Sequence, residues 1–149
     1  MPPIADEVTL QMKQAMKAKD ERRLVALRSM RSAFLNEMKK DNSTTVPDAI
    51  CEGLLRKLEK QRKESIEAFS NAGREELAAA ERAELAVIQE FLPKLADEAR
   101  TREWVETAVA QTGAAGAKDV GKVMGALMKA HKGEIDGDLA RRIAQERLA

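Results

Sequence analysis

Hydrophobic residues recur at helical spacing along almost the whole chain, and no segment alternates as a half-buried strand would. In the last third, Val120, Met124, Leu127 and His131 fall at i, i+4, i+7 and i+11, which places them on one helical face. Proline, glycine and polar clusters interrupt this pattern. The sequence therefore predicts an all-α protein, with seven helices over about 6–19, 20–40, 47–72, 74–92, 97–113, 119–133 and 138–148.

Pro93 separates these helices into two groups, because proline ends a helix and Phe91–Ala96 has the composition of a hinge. We predict an N-terminal four-helix region over 1–92 and a small three-helix C-terminal domain over 93–149. The first group offers a helical bundle. The second is expected to bury little by itself and to dock on a partner or on the first group.

The apolar stripes predict which side chains enter the core. Asp6 is the expected N-cap of the first helix, and Arg62 is expected to pack its stem while its guanidinium reaches out or pairs. Trp104 is expected to be core, because it shares a helical face with Ala108. The expected stripes of the first three helices are Val8, Met12, Ala15 and Met16; Leu24, Leu27, Met30, Phe34 and Met38; and Leu54, Leu58, Ser65 and Phe69.

Charge is unevenly distributed, although the formal net charge is only +1. From Lys13 to Lys40 there are nine basic residues and three acidic ones. The predicted fourth helix is acidic instead, and the simplest role for its carboxylates is to face the basic helices before it. An argument for a polyanionic partner must therefore rest on where the charges lie.

The stretch from Asp119 to Gly137 predicts a helix, a basic corner and the start of a second helix. Gly121 and Gly125 lie one turn apart, and each costs a helix about 1 kcal/mol relative to alanine. We therefore expect another backbone to approach them closely. The corner carries candidate contacts for RNA phosphates, namely Lys122, Lys129, Lys132, Arg141 and Arg142. An ordinary solvated surface is the alternative for these cations, and Glu134, Asp136 and Asp138 weaken their field.

The residues offer no catalytic constellation. His131 is the single histidine, and a packed or dipole-compensating role fits it better than that of a general base. The alternating acids after Gly133 fail as a calcium loop, because Leu139 and Gln145 stand where glycine and glutamate are required. No phosphate loop, dinucleotide turn or Cys/His metal spacing is present. We expect no catalytic residue, no metal and no cofactor.

The expected compartment is the cytoplasm. Met1-Pro2-Pro3-Ile4 lacks the basic start of a signal peptide, and no apolar run approaches membrane-spanning length. The single Cys51 cannot form an internal disulfide and is expected to be a small helical hydrophobe.

Three motifs in this order resemble the GatB/YqeY family. Gly-Lys-Val-Met-Gly-Ala-Leu-Met-Lys-Ala-His-Lys-Gly at 121–133, followed by Asp-Gly and a final helix, is similar to the family's C-terminal signature. Lys-Gln-Arg-Lys-Glu-Ser-Ile-Glu-Ala-Phe at 60–69 and Ala-Met-Lys-Ala-Lys-Asp at 15–20 are similar to stand-alone YqeY-like proteins. The resemblance covers nearly the whole chain.

The resemblance implies a relation to the tail of the GatB subunit of a tRNA-dependent amidotransferase. In that assembly the chemistry lies in other domains, and the tail is associated with tRNA recognition. The leading hypothesis is therefore a tRNA- or RNA-associated accessory module without a catalytic site. The alternatives are a protein-docking module of an amidotransferase or another assembly, and a carbon–nitrogen ligase using glutamine as amide donor, the label that family transfer would give.

Overall fold

The computed structural model describes residues 3–149, and within them the chain is helical without strands. The predicted all-α class is confirmed. Met1 and Pro2, on which part of the signal-peptide argument rests, lie outside the described residues. A short 3-10 helix, Ala117–Asp119, precedes α6, and the seven α-helices are α1 Ile4–Ala18, α2 Glu21–Asp41, α3 Asp48–Asn71, α4 Glu75–Gln89, α5 Glu98–Thr112, α6 Val120–Ala130 and α7 Gly137–Leu148.

The helices form two compact units, Met1–Leu92 and Pro93–Ala149. Their boundary falls at the proline that the sequence analysis used to divide the chain. Each unit has its own hydrophobic core, because the buried side chains fall into two separate clusters.

In the N-terminal unit, α1 and α2 form a helical hairpin. The Asp20 side chain caps α2 by accepting from the Arg23 amide at 3.2 Å, and Lys19 ends α1 in the left-handed region at φ 56°. The predicted α2 stripe is confirmed, with Leu24, Leu27, Met30 and Phe34 buried and Met38 packed against them.

Two expectations for α1 are wrong. Asp6 lies in the first turn rather than at the N-cap, because α1 already begins at Ile4. Met16 is 54% exposed, because it lies about 80° around the helix from the buried Val8 and falls off the packed face. Val8 and Ala15 are buried as predicted, and Met12 packs against the core.

The buried face of α3 is shifted by one residue from the expected one. Cys51, Leu55 and Glu59 are buried, whereas Leu54 and Leu58 are only partly buried and pack from the side. Cys51 is the packed hydrophobe that was predicted, and burial raises the pKa of its thiol. α4 ends at Gln89 rather than Leu92.

The acidic side of α4 faces basic residues of earlier helices, as predicted. Arg62 on α3 contacts Glu84 at 2.9 Å and Glu81 at 3.1 Å. Arg23 on α2 contacts Glu90 at 2.7 Å. These ion pairs join α4 to both α2 and α3.

In the C-terminal unit, α5, α6 and α7 pack on one another in pairs. Asp97 caps α5 by accepting from the Arg100 amide at 2.8 Å, and Gly113 ends that helix at φ 68°. Asp136 caps α7. The expectation that this unit buries little is wrong, because twelve of its residues, from Val105 to Leu148, form a continuous core.

Candidate nucleic-acid interface

The solvent-facing side of α6 carries glycines and lysines together. Val120, Val123, Met124 and Leu127 are buried on the opposite side, against α5 and α7. At 100° per residue, Lys122, Gly125 and Lys129 fall within about 60° of one another on the exposed side. We call the exposed residues Gly121, Lys122, Gly125, Met128 and Lys129 the α6 outer face.

The prediction of a close contact at the two glycines is wrong within the chain. A Cβ atom built on Gly121 or Gly125 would meet nothing within 4 Å. Both glycines are exposed, because the periodicity that buries Val120 and Met124 turns them outward. Packing among residues 3–149 therefore does not explain two glycines that weaken the helix.

Lys122 is the one lysine of the α6 outer face with a carboxylate nearby. Its Nζ lies 3.8 Å from Asp119, and 70% of the lysine side chain is exposed. Donation from the Ala115 amide at 3.0 Å lowers the pKa of Asp119, and the charge of Lys122 lowers it further. Lys122 therefore has one carboxylate partner, and its side chain remains accessible.

Lys129 and Lys132 are exposed and take part in no ion pair among residues 3–149. Lys129 lies in the last turn of α6, and Lys132 lies in the turn that follows. Glu134 contacts neither lysine, because its carboxylate lies 3.4 Å from Nδ1 of His131. Of the three acids that were expected to weaken the basic corner, Glu134 is therefore directed at the histidine, and Asp136 caps α7.

Arg141 and Arg142 point to different neighbours, and the structure separates them. Arg141 is exposed without an ion pair in the described chain and lines a groove between α6 and α7. Arg142 contacts Glu98 on α5 at 3.3 Å and Glu146 at 3.5 Å. Of the two arginines predicted for the basic corner, Arg142 is thus paired with carboxylates of α5 and α7, because adjacent residues of a helix differ in direction by 100°.

The groove beside Arg141 has a volume of about 340 Å³ and is shallow. Gly125 and Gly137 leave it open, and Met124 and Met128 provide its apolar surface. Asp138 completes its wall at the start of α7. The turn after α6 thus brings Arg141 beside the α6 outer face, as the sequence predicted for this arginine.

His131 is a packed residue, as predicted. Its ring stacks on Trp104 of α5, with centroids 3.7 Å apart and planes inclined by 6°. Arg100 lies 5.8 Å from the Trp104 ring centroid. Trp104 is partly buried and packs against the core rather than offering a free stacking platform. This pair could not be predicted from the sequence, because periodicity within α5 and α6 does not show which residues meet across them.

Among residues 3–149, no three or more Cys, His, Asp and Glu side chains are placed to hold a metal ion. No described helix is both long and apolar enough to cross a bilayer.

Known proteins resemble the chain over most of its length. The family model described as Yqey-like protein matches residues 5–148. A protein of Pyrenophora tritici-repentis named altered inheritance of mitochondria protein 41, mitochondrial, is 30% identical over 138 residues, which are 91% of this chain and 75% of that protein. A protein of the same name from Vanderwaltozyma polyspora is 37% identical over 84 residues, 56% of this chain and 45% of the relative. The chain belongs to the YqeY-like protein family.

Proposed function

We propose that this YqeY-like chain is an accessory protein that binds folded RNA, tRNA in the first place, through the α6 outer face and has no catalytic site of its own. One observation carries the proposal: the face combines two glycines with accessible cations, and a Cβ atom on either glycine would meet none of residues 3–149 within 4 Å. The resemblance to the tail of the GatB subunit, which is associated with tRNA recognition, points to the same partner.

The cations suit phosphate contacts. Lys122, Lys129, Lys132 and Arg141 are exposed, and only Lys122 has a carboxylate partner in the described chain. Helix positions without side chains let an RNA backbone lie close to α6 between the lysines. Because Arg142 is paired with two carboxylates, it is not counted among the contacts.

Recognition by shape and phosphate fits the composition of the chain. It has only three Phe, one Trp and no Tyr. Among these, Phe34 is buried and Trp104 is stacked on His131. Single-stranded RNA is usually bound through exposed aromatic rings, whereas folded RNA is recognised through its backbone and shape. A folded RNA is therefore the better partner.

The test is the salt dependence of tRNA binding. Four phosphate contacts contribute roughly −3 to −4 to the slope of log K against log salt. The double reversal Lys129→Glu with Lys132→Glu should reduce the salt slope by the contribution of about two phosphate contacts. It should lower the affinity for all tRNAs alike. The matched control is Lys57→Glu with Lys60→Glu, two exposed lysines of α3 without an ion pair in the described chain. If wild type binds no better than the Lys129/Lys132 variant at low salt, the RNA function fails.

Docking to a protein is the second candidate function. The groove of Met124, Gly125 and Met128 is apolar and open enough to hold a side chain of a partner helix from an amidotransferase subunit or another assembly. Bulk at the glycines would then reduce binding, whereas lysine reversal would matter little. A pull-down from cell extract that retains subunits after nuclease treatment, and loses them in Gly125→Leu, would favour this candidate.

An intrinsic carbon–nitrogen ligase activity has no residue to carry it. We expect no glutaminase and no aminoacyl-tRNA amidation from the purified chain with ATP, magnesium and glutamine. Turnover that survives repurification and disappears in His131→Ala would overturn this expectation. The cytoplasm stays the proposed compartment, although the two relatives above are named for mitochondria. Fractionation of the source cells would decide between them.

A further inference from the structure

A second group of unpaired cations surrounds the turn between α1 and α2. All are exposed, and none forms an ion pair in the described part of the chain; they are Lys13, Lys17, Lys19, Arg22 and Arg28. The nearby Arg23 behaves differently, because Glu90 lies 2.7 Å away. At 1.5 Å per residue, the five cations lie within about 10 Å of the turn along the helix axes. We call them the hairpin cations.

The hairpin cations lie outside the core of the N-terminal unit. The same helices bury Val8, Ala15, Leu24 and Leu27 inward. Asp20, the acid at the turn itself, is occupied as the cap of α2. Glu21 is thus the one exposed carboxylate of the turn not engaged in a cap.

Charge within this unit is separated. Residues 4–41 contain nine Lys and Arg against six Asp and Glu, a net +3. Residues 42–92 contain seven against ten, a net −3. The two cancel in the total, which therefore does not show the excess of cations on α1 and α2.

The side chains between the hairpin cations favour phosphates over lipid. Leu10, Met16, Val25 and Leu35 are exposed, but the continuous apolar stripes of α1 and α2 are used in the core. A helix that lies on a membrane needs a free apolar face. The sugar–phosphate backbone of a folded RNA requires only accessible cations.

We propose that the hairpin cations form a second phosphate-contacting surface for the same RNA. This inference rests on the proposed function and extends it, because the N-terminal unit then contributes phosphate contacts of its own to the same RNA. The salt slope of the wild type then exceeds the roughly −3 to −4 that four contacts of the C-terminal unit supply.

The test compares two triple variants of the full-length protein. One is Lys13→Ala, Lys17→Ala and Arg22→Ala; the matched control is Lys57→Ala, Lys60→Ala and Lys63→Ala on α3 of the same unit. Both remove three exposed helix charges, and alanine favours the helix, so circular dichroism should show folded protein. With bulk tRNA, the hairpin variant should flatten the slope by roughly 2–3 and bind more weakly, while the control stays close to wild type.

Different results of this experiment would contradict the inference and the proposed function. Equal effects of the two triple variants would overturn the inference, as would tRNA binding that responds to Lys129 and Lys132 but not to the hairpin. No tRNA binding by wild type at low salt would defeat the proposed function and the inference together. Phosphatidylserine vesicles provide a further arm: vesicle binding that the hairpin variant abolishes, with tRNA binding unchanged, would assign the surface to lipid instead.

Discussion

The rings of Trp104 and His131 stack nearly parallel, with centroids 3.7 Å apart, and so join α5 to the end of α6. A second link nearby is the hydrogen bond from the Ala96 amide to the Glu134 carbonyl, at 2.8 Å. Together they hold the turn that presents Lys132. The single histidine, which could suggest catalysis in a sequence, is a structural support of the proposed interface.

His131→Ala should lower the stability of the C-terminal unit by about 1 kcal/mol, because it removes the ring that covers Trp104. The indole would become more exposed, and emission of this single tryptophan should shift to longer wavelength. His131→Phe is the control, because it keeps a ring at the position. Emission that is identical in wild type and His131→Ala would contradict the stack.

Alanine should have opposite effects at two glycines of the C-terminal unit. Gly125→Ala should raise the free energy of unfolding by up to about 1 kcal/mol, because a Cβ meets nothing there and alanine favours a helix. Gly113→Ala should lower it by about 1 kcal/mol, because φ is 68° there. Urea unfolding measures both. A less stable Gly125→Ala would show that the close contact lies inside the chain after all.

Arg62→Ala should destabilise the N-terminal unit by about 2 kcal/mol, because it leaves Glu81 and Glu84 facing each other without a cation. Loss of one partner from a fully buried pair costs about 3–5 kcal/mol, and these side chains are 18–25% exposed, so we expect less.

Arg82→Ala on α4 is the control, because its pair with Glu75 is 3.4 Å long and half exposed. It should change stability by less than about 1 kcal/mol. Equal thermal shifts for the Arg62 and Arg82 variants would contradict the importance of the Arg62 cluster.

Glu98 reports on whether Arg142 is paired. The hydrogen bond from Arg102 lowers the pKa of Glu98, and the charges of Arg102 and Arg142 lower it further. Arg142→Ala should therefore raise this pKa toward its ordinary value, and Arg102→Ala should raise it more. A carboxylate with a lowered pKa stabilises the fold above its unfolded pKa, and this contribution is lost as pH falls through the folded pKa.

The measurement is a titration of the Glu98 carboxyl carbon by NMR. Arg141→Ala is the matched control and should leave the pKa of Glu98 unchanged, because Arg141 lines the groove instead. A Glu98 pKa that does not respond to Arg142→Ala would show that Arg142 is not paired with Glu98. Arg142 would then count again among the cations of the basic corner.

Much of the fold follows from local signals. Asp20 and Asp97 act as caps, and Gly113 takes the left-handed conformation that ends a helix. These effects depend on neighbours in sequence, so the seven helices could be predicted within a few residues. The buried face of α3 could not be predicted, because Leu54 and Leu55 are equally apolar. Only the packing of α1, α2 and α4 decides which of them is buried.

The candidate site was predicted less well, for the same reason. The sequence shows that Gly121 and Gly125 lower the stability of the helix. It does not show whether the reason for them is a contact inside the chain or a contact with a partner. Arg141 and Arg142 are the same residue type at adjacent positions. What distinguishes them is that Arg142 contacts the carboxylate of Glu98, which lies 44 residues away in the sequence. The periodicity of one helix does not show which of its residues pair with residues of another helix.

The most direct test of the account is a titration of the labelled chain with a short RNA hairpin, followed through its glycine amides. The chain has eight glycines, which resonate apart from most other amides. We predict the largest shifts at Gly121 and Gly125, on the α6 outer face, and none beyond background at Gly53 on α3 and at Gly73 after it. Shifts of equal size at all four, or none at Gly121 and Gly125 while RNA is bound, would contradict the proposal that RNA lies against this face.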